Sequence, residues 1–313
     1  MDAYTLNQQP KLLITGANGF TGQHAVKHFL NVGFNVTAVS RKSKFTLNDV
    51  PNEYCNLTNK ADVENLIKKT KPQYLLHLAG QNHVGLSWVD PVTSLEVNTM
   101  GTVNLLESLR KESPLSKVVV VGSALQFDPG NITTLPHPYS LSKTLQVIIA
   151  QSWAKLFNMH IVIAKPSNLI GPGFSNGVCS ILAKKIVDME ENKLDKVLEV
   201  NNLHAQRDYL DVRDAVTAYE TLLMKGKSGE IYDISSGKSR SIEKIVNCFK
   251  TLTTINFELK SQEFHQIEQT IKIMPSNLID LGWKPAIPLK QSLKDILNFY
   301  RDNHKNNPFK TTE

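Results

Sequence analysis

The sequence predicts a doubly wound α/β fold around a parallel sheet, and three observations carry that reading. Short β-rich runs alternate with longer helical patterns through the first half of the chain. The run KVVVV (117–121) is apolar at four successive positions, which suits a strand covered on both faces. TGANGFTG (15–22) sets Gly16, Gly19 and Gly22 at GxxGxxG spacing between the first strand and the first helix.

Taken in order, KLLIT (11–15) is the first strand, and 21–31 is a helix with Ala25, Val26, Phe29 and Leu30 on its buried face. NVTAVS (35–40) is a strand, 61–69 a helix and YLLHLA (74–79) a strand. A long helix over 95–111 leads to the 117–121 strand, and a second long helix over 139–157 leads to HIVIAK (160–165). Strands recurring with helices between them pair in parallel through right-handed crossovers. Beyond Pro166 the rhythm loosens into helices over 178–192 and 213–225 and a short strand over 231–234. A helix over 241–252 starts on a capping Ser241 with Glu243 in its first turn, and an amphipathic helix over 290–303 follows. The expected division is a dinucleotide-binding domain over 1–165 and a smaller α/β substrate-binding domain over 166–313, with helix 213–225 folding back onto the first.

A length of 313 residues allows two such domains, and 41% apolar residues is ordinary for a globular chain. Lys+Arg 35 against Asp+Glu 29 gives a net charge of +6, a surplus that helps attract anionic ligands. It is spread along the chain and is locally dense only near His304, Lys305 and Lys310, so nothing argues for nucleic acid. No apolar run approaches the roughly 18 residues of a membrane span. MDAYTLNQQPK lacks the basic head and apolar stretch of a secretory leader, so a cytoplasmic protein off the membrane is expected. Cys55, Cys179 and Cys248 are far apart with no CxxC pair, which predicts neither a disulfide framework nor a metal site.

Glycines at the first strand–helix turn let the backbone approach a pyrophosphate, and the helix start offers unpaired N–H groups. A ligand-free turn is the rival reading, but the position at the first junction of an α/β chain favours a Rossmann-type dinucleotide site. An acid that would select NAD is expected roughly 20 residues on. The second strand instead ends Ser40-Arg41-Lys42, and the two cations suit the 2′-phosphate of NADP(H), with NAD(H) the alternative and a solvated loop the rival.

Ser123 follows the fourth strand, where open α/β sheets bind ligands. Tyr139 and Lys143 are spaced i, i+4 on one face of the next helix. A free tyrosine titrates near about 10, and a neighbouring ammonium would bring that value down. Tyr139 could then hand a proton to a carbonyl oxygen that Ser123 also hydrogen-bonds. Alone, Tyr-x-x-x-Lys is a common surface pair; after a glycine loop and a strand-end serine it is specific.

These residues resemble the extended short-chain dehydrogenase/reductases, the family of nucleotide-sugar epimerases, dehydratases and reductases. The matching stretches are TGANGFTG (15–22), HLAGQNHVGLSWVDP (77–91), VNTMGTVNLLESLR (97–110), VGSALQF (121–127), PYSLSK (138–143), KPSNLIGPG (165–173) and RDYLDVRDA (207–215). They stand in the family's order, and the SW pair, DVRDA and LGWKP (281–285) point to the branch reducing GDP-linked 4-keto-6-deoxy sugars. The resemblance implies Ser123, Tyr139 and Lys143 as catalytic residues, with Asn98 supporting a water-linked proton path. It implies a cofactor set of Gly16, Asn18, Gly19, Phe20, Gly22, Arg41, Lys42, Asn56, Leu57, Leu78, Ala79, Gly80, Tyr139, Lys143 and Pro166. For the sugar nucleotide it implies His83, Ser123, Asn168, Arg207 and Tyr209.

Departures from the family pattern narrow the activity. Dehydratases carry an Asp-Glu pair after the triad hydroxyl; Ala124 and Leu125 stand there, so dehydration is disfavoured. Asn56 replaces the adenine-contacting Asp and can still hydrogen-bond, and Phe127-Asp128 replaces a Tyr-Gly pair. The late Arg-Pro-x-Asp segment that grips the nucleotide is missing from IKIMPSNLIDL (271–281). A GDP-4-keto-6-deoxymannose-like and a UDP-4-keto-6-deoxy-N-acetylhexosamine-like substrate therefore both stay open. The expected activity is NADPH-dependent reduction to the 4-hydroxy sugar for surface glycan synthesis. The rivals are a 4-epimerase retaining NAD and a non-catalytic dinucleotide sensor.

Bland readings remain for several residues. His77 is expected to be a satisfied core histidine and His83 an ordinary loop histidine, with substrate contact its rival; Trp88 packs or stacks on sugar, Phe20 is a lid over the pyrophosphate or simple packing, and Cys179 is chemically silent. Arg207 is a candidate structural partner of Asp208 or Asp211, which the resemblance turns toward phosphate. Apolar residues beyond one stripe on helices 95–111 and 139–157 suit a core or, as in the family, a homodimer face.

Overall fold

A computed structural model describes residues 9–41, 50–261 and 273–306. Lys42 and Lys310 lie outside the described residues. The chain divides into two compact units, the first made of 1–166, 216–233 and 277–283, the second of 167–215, 234–276 and 284–313.

The amino-terminal half runs β1 (Lys11–Thr15), α1 (Phe20–Asn31), β2 (Asn35–Ser40), β3 (Asn52–Tyr54), α2 (Lys60–Thr70), β4 (Tyr74–His77), α3 (Val84–Val89), α4 (Pro91–Leu95), α5 (Gly101–Glu112), β5 (Lys117–Val121), α6 (Pro138–Phe157) and β6 (Ile161–Pro166). The remainder runs β7 (Asn168–Ile170), α7 (Val178–Glu190), β8 (Val197–Val200), β9 (Gln206–Asp211), α8 (Val212–Lys225), β10 (Ile231–Ile234), β11 (Ser239–Ser241), α9 (Ile242–Lys250), β12 (Glu258–Ser261), α10 (Ser276–Asp280) and α11 (Leu289–Asn306).

Seven strands form the main sheet in the order β10-β6-β5-β4-β1-β2-β3. β1 pairs in parallel with both β2 and β4, and β4–β5 and β5–β6 are parallel too. The chain builds outward from β1 on one side and then restarts at β4 on the other. That reversal opens a crevice at the carboxyl ends of β1 and β4, where α/β sheets take ligands. Leu13, Leu75, Val118, Val120, Ile161 and Ile163 from the strands pack with Leu105, Leu106 and Leu109 of α5. Each such fully buried side chain is worth roughly 1.5–3 kcal/mol over exposure.

The expected 95–111 helix is three pieces: α4, a π-helical turn over Glu96–Met100, and α5. Within it the Gly101 N–H reaches back five residues to the Glu96 carbonyl. Thr99 and Thr102 hydroxyls bond the carbonyls of Leu95 and Asn98, offering the backbone side-chain partners where the regular ladder is broken. Apolar spacing does not distinguish a helix with one extra residue from a regular one, so periodicity missed it.

In the second unit β9 pairs in parallel with β7 and antiparallel with β11, while β12 pairs in parallel with β8. These strands are too short and polar to stand out in the sequence. Their cover is α7, α9 and α11, whose Leu182, Ile186, Ile245, Phe249, Leu293 and Ile296 make the core. Ser241 caps α9 as expected, its Oγ accepting from Lys244 N at 3.1 Å. The acids of RDYLDVRDA are structural anchors. Asp208 accepts from Ser167, Ser236 and the Lys238 N–H, and Asp211 takes both Arg213 forks and the Ser292 hydroxyl. Asp214 accepts from the N–H groups of Ala286 and Ile287.

Candidate active site

The glycine turn is shaped by contact as much as by conformation. Gly16 has φ +70, and a Cβ there would lie 2.7 Å from the Ala79 nitrogen. At Gly22 a Cβ would lie 2.2 Å from the Gly16 carbonyl oxygen. Backbone bonds from Gly19 N to Gly16 O and from Ala17 N to Val39 O fasten the turn to itself and to β2. Gly19 is the N-cap of α1 and gives it no side-chain cap, so the first N–H groups of the helix have no side-chain acceptor from the cap.

The crevice is walled by Thr15, Gly16, Val39, Ser40, Arg41, Cys55, Asn56, Leu57, Thr58, Ala79, Gly80, Gln81, Thr93 and Val97. Of the expected cofactor residues, Gly16, Arg41, Asn56, Leu57, Ala79 and Gly80 are therefore brought together. Leu78 sits behind the wall, its N–H on the Thr15 carbonyl, and Pro166 receives the Ala124 N–H. Asn18 turns its carbonyl to Gln23, and Phe20 packs edge-on against His24 at 5.6 Å. Asn56 spends its side-chain oxygen on Thr58. Gln81, Cys55 and Thr58 line the wall without having been singled out in the sequence. A close-approach glycine turn, an uncapped helix start and a cation at the end of β2 fit a nicotinamide dinucleotide.

The reactive cluster grows from the start of α6. His137 caps the helix, its Nδ1 accepting from Ser140 N at 3.0 Å, and Pro138 fills the first turn. The Tyr139 N–H is taken by Ser87 Oγ at 3.0 Å, so the helix start is fully anchored where Tyr139 projects. One turn on, Lys143 lies on the same face. Its Nζ donates to the Val121 carbonyl at 2.7 Å and to Gln146 Oε1 at 2.5 Å. The Asn98 side chain receives the Gln81 N–H at 2.8 Å and donates to Gln81 O and Ser142 Oγ. The π-turn aims it there. Gly80 closes the group: a Cβ on it would come within 2.9 Å of Asn98 Oδ1 and 3.9 Å of Lys143 Nζ.

The expected downward pull of Lys143 on the phenol is not what this structure shows. Burial raises Tyr139 above its ordinary value, and the hydrogen bond with Ser123 opposes it without prevailing. Burial also brings the Lys143 ammonium down to about 7. Desolvation dominates because both groups are nearly covered, at 6% exposure each. Between its unfolded value of 10.5 and about 7 the unfolded chain binds more protons at this lysine. Its contribution to stability is thus intact above that window and lost as the pH falls through it. Lys143→Met is expected to gain in melting temperature on the wild type as the pH is lowered from alkaline to neutral, then level off. A difference independent of pH would contradict this.

His77 is the satisfied histidine expected, with no exposure and both ring nitrogens bonded. His83 caps α3 by accepting from Leu86 N at 3.1 Å, and Trp88 is 65% exposed. Cys179 is buried and its thiol pushed up to about 12, keeping it protonated. In the second unit Asn168 and Arg207 are exposed and Asn168 pairs in register with Tyr209. Tyr209 is 3% exposed within the core, and Arg207 donates to the Gln206 carbonyl at 2.7 Å.

The model of the NAD dependent epimerase/dehydratase family matches residues 12–235. The chain belongs to that family. It is an NAD(P)-dependent oxidoreductase. Among its relatives is GDP-6-deoxy-D-mannose reductase of Pseudomonas aeruginosa, 28% identical over 92% of this chain and 96% of that protein. Another is a putative UDP-glucose 4-epimerase of Methanocaldococcus jannaschii, 26% identical over 94% of this chain and 99% of the relative. The structure of RMD from Pseudomonas aeruginosa complexed with NADPH superimposes with a TM-score of 0.82 at 25% identity, covering 94% of this chain and 100% of that one. Among the described residues no helix is long and apolar enough to cross a membrane.

Proposed function

We propose that this enzyme reduces a nucleotide-linked 4-keto-6-deoxy sugar to the 4-hydroxy sugar with NADPH. The observation that carries the reading is the Tyr139–Ser123 contact, set one turn from the buried Lys143 and beside Gly80 of the dinucleotide crevice. A bound reduced nicotinamide supplies the hydride for the ketone carbon. Tyr139 gives its phenolic proton to the ketone oxygen, and Ser123 donates a hydrogen bond to the same oxygen. Burial that keeps the phenol protonated suits a proton donor, and the Lys143 ammonium then stabilises the tyrosinate left behind. Asn98 supports proton supply from Gln81's side of the cluster. Ala124 and Leu125 after Ser123 have no ionisable group with which to eliminate water.

The exposed Asn168 and Arg207 are suited to the diphosphate, the guanidinium matching two phosphate oxygens at once. The Pseudomonas reductase favours a GDP sugar. A UDP-linked N-acetylhexosamine is the second reading, favoured by the missing Arg-Pro-x-Asp motif in 271–281. The test is NADPH consumption, followed by its absorbance, with GDP- and UDP-linked 4-keto-6-deoxy sugars. Consumption with one of them is expected. Enzyme that arrives carrying NAD and interconverts 4-epimers without added cofactor would replace this reading with an epimerase.

Arg41, exposed at the end of β2 on the crevice wall, is proposed to hold the 2′-phosphate. Arg41→Ala is expected to raise KM for NADPH about tenfold, as loss of a charge-assisted bond should, and to leave that for NADH nearly unchanged. Equal effects on both would remove Arg41 from cofactor choice. The protein is proposed to act in the cytoplasm as a homodimer.

A further inference from the structure

A buried ammonium is tolerated only where acceptors replace its water. For Lys143 one acceptor is the Val121 carbonyl and the other is the side chain of Gln146, which has no exposure. The Gln146 amide is not free to turn. Its Nε2 donates to Thr102 Oγ1 at 2.9 Å, and Thr102 has a single proton, which goes to the Asn98 carbonyl at 2.8 Å. Thr102 must therefore accept from Gln146 and also from His77 Nε2, 3.0 Å away. His77 then carries its proton on Nε2 and accepts at Nδ1 from the Thr15 hydroxyl at 2.7 Å. Thr15 in turn receives the N–H of Ala79 on the crevice wall. Every bond in this chain has one permitted direction, and together they point the Gln146 oxygen at the ammonium.

We propose that Gln146 is a positioning residue for the reacting pair, its amide oxygen holding the Lys143 ammonium one turn from the Tyr139 phenol in an orientation locked by Thr102 and His77. The proposal rests on the reading of Tyr139 and Lys143 given above. A neutral amide suits the task. A carboxylate would hold the ammonium equally well but cancel its charge and remove the amide N–H that Thr102 accepts alongside that of His77. Among the described residues the other titratable groups facing the pair are His77 from β4 and His137 at the head of α6. Burial lowers both, so neither histidine adds a charge beside the pair near pH 7.

The experiment has two arms on the purified enzyme. In the first, Lys143 is followed directly by NMR titration of its side chain. Gln146→Glu is expected to raise its titration by about one pH unit or more, the size expected of a close opposite charge, whatever reaction the enzyme runs. In the second, kcat for ketone reduction is measured against pH. Gln146→Glu is expected to shift the phenol-dependent limb upward. Gln146→Leu and Thr102→Val should lower kcat about tenfold, as a misplaced proton-transfer pair would, with KM for the sugar nucleotide held. Thr102→Ser, which keeps the hydroxyl, should follow the wild-type profile. A Lys143 titration and kcat profiles that overlay the wild type in both Gln146→Glu and Thr102→Val overturn the proposal. Turnover surviving in Tyr139→Phe would instead overturn the assigned reaction, and the titration arm then still decides the role of Gln146.

Discussion

Replacing Tyr139 with phenylalanine is expected to lower kcat for ketone reduction by about 10²–10⁴-fold, the usual worth of a positioned general acid. The ring, its packing and the helix start held by His137 and Ser87 are untouched by the change. Only the phenolic oxygen goes, and with it the contact to Ser123. Binding of NADPH, read by calorimetry, and the melting temperature should both stay close to the wild type. A variant that folds, binds and has lost turnover places the defect at proton transfer. Turnover within a few-fold of the wild type would remove Tyr139 from the chemistry.

Gly22→Ala is expected to be the most damaging small substitution in the dinucleotide turn. The added methyl would lie 2.2 Å from the Gly16 oxygen and 2.6 Å from the Ala17 oxygen, and both atoms are backbone. No rotamer change relieves the overlap, so α1 and the turn must separate. Overpacking of this kind costs roughly 1–3 kcal/mol or more. The same displacement moves Gly16, whose backbone already lies against Leu78 and Ala79, so cofactor affinity should fall with stability. Thermal melting with and without NADPH measures both, and a variant that melts as the wild type does and keeps its NADPH shift would contradict the expectation.

Much of the first unit was legible because its signals are local. KVVVV needs no partner to be read as a covered strand, and β5 occupies the same residues. The glycine turn, the Ser241 cap and the i, i+4 spacing of Tyr139 and Lys143 are likewise written in neighbouring residues. Short polar strands such as β11 were not legible, since three residues carry no period. Gln146 and Thr102 could have been found by asking which residues sit three and four positions beyond Lys143 and Asn98 on a helix. The sequence could not say that they meet each other.

By itself, then, the sequence determined the alternation of strands and helices and the dinucleotide turn, and it singled out the side chains proposed to react. Each of these depends on backbone preferences and apolar spacing within about one or two turns of chain. Only the tertiary structure decided that burial outweighs the Ser123 hydrogen bond at Tyr139, that a π-turn aims Asn98 at Gln81, and that Thr15 meets His77 and Thr102 meets Gln146. Those pairs lie 62 and 44 residues apart, and the packing of whole elements brings them within hydrogen-bond distance. The energy of a buried charge or hydrogen bond is set by what surrounds it in space, and that environment exists only once the sheet and its helices have closed.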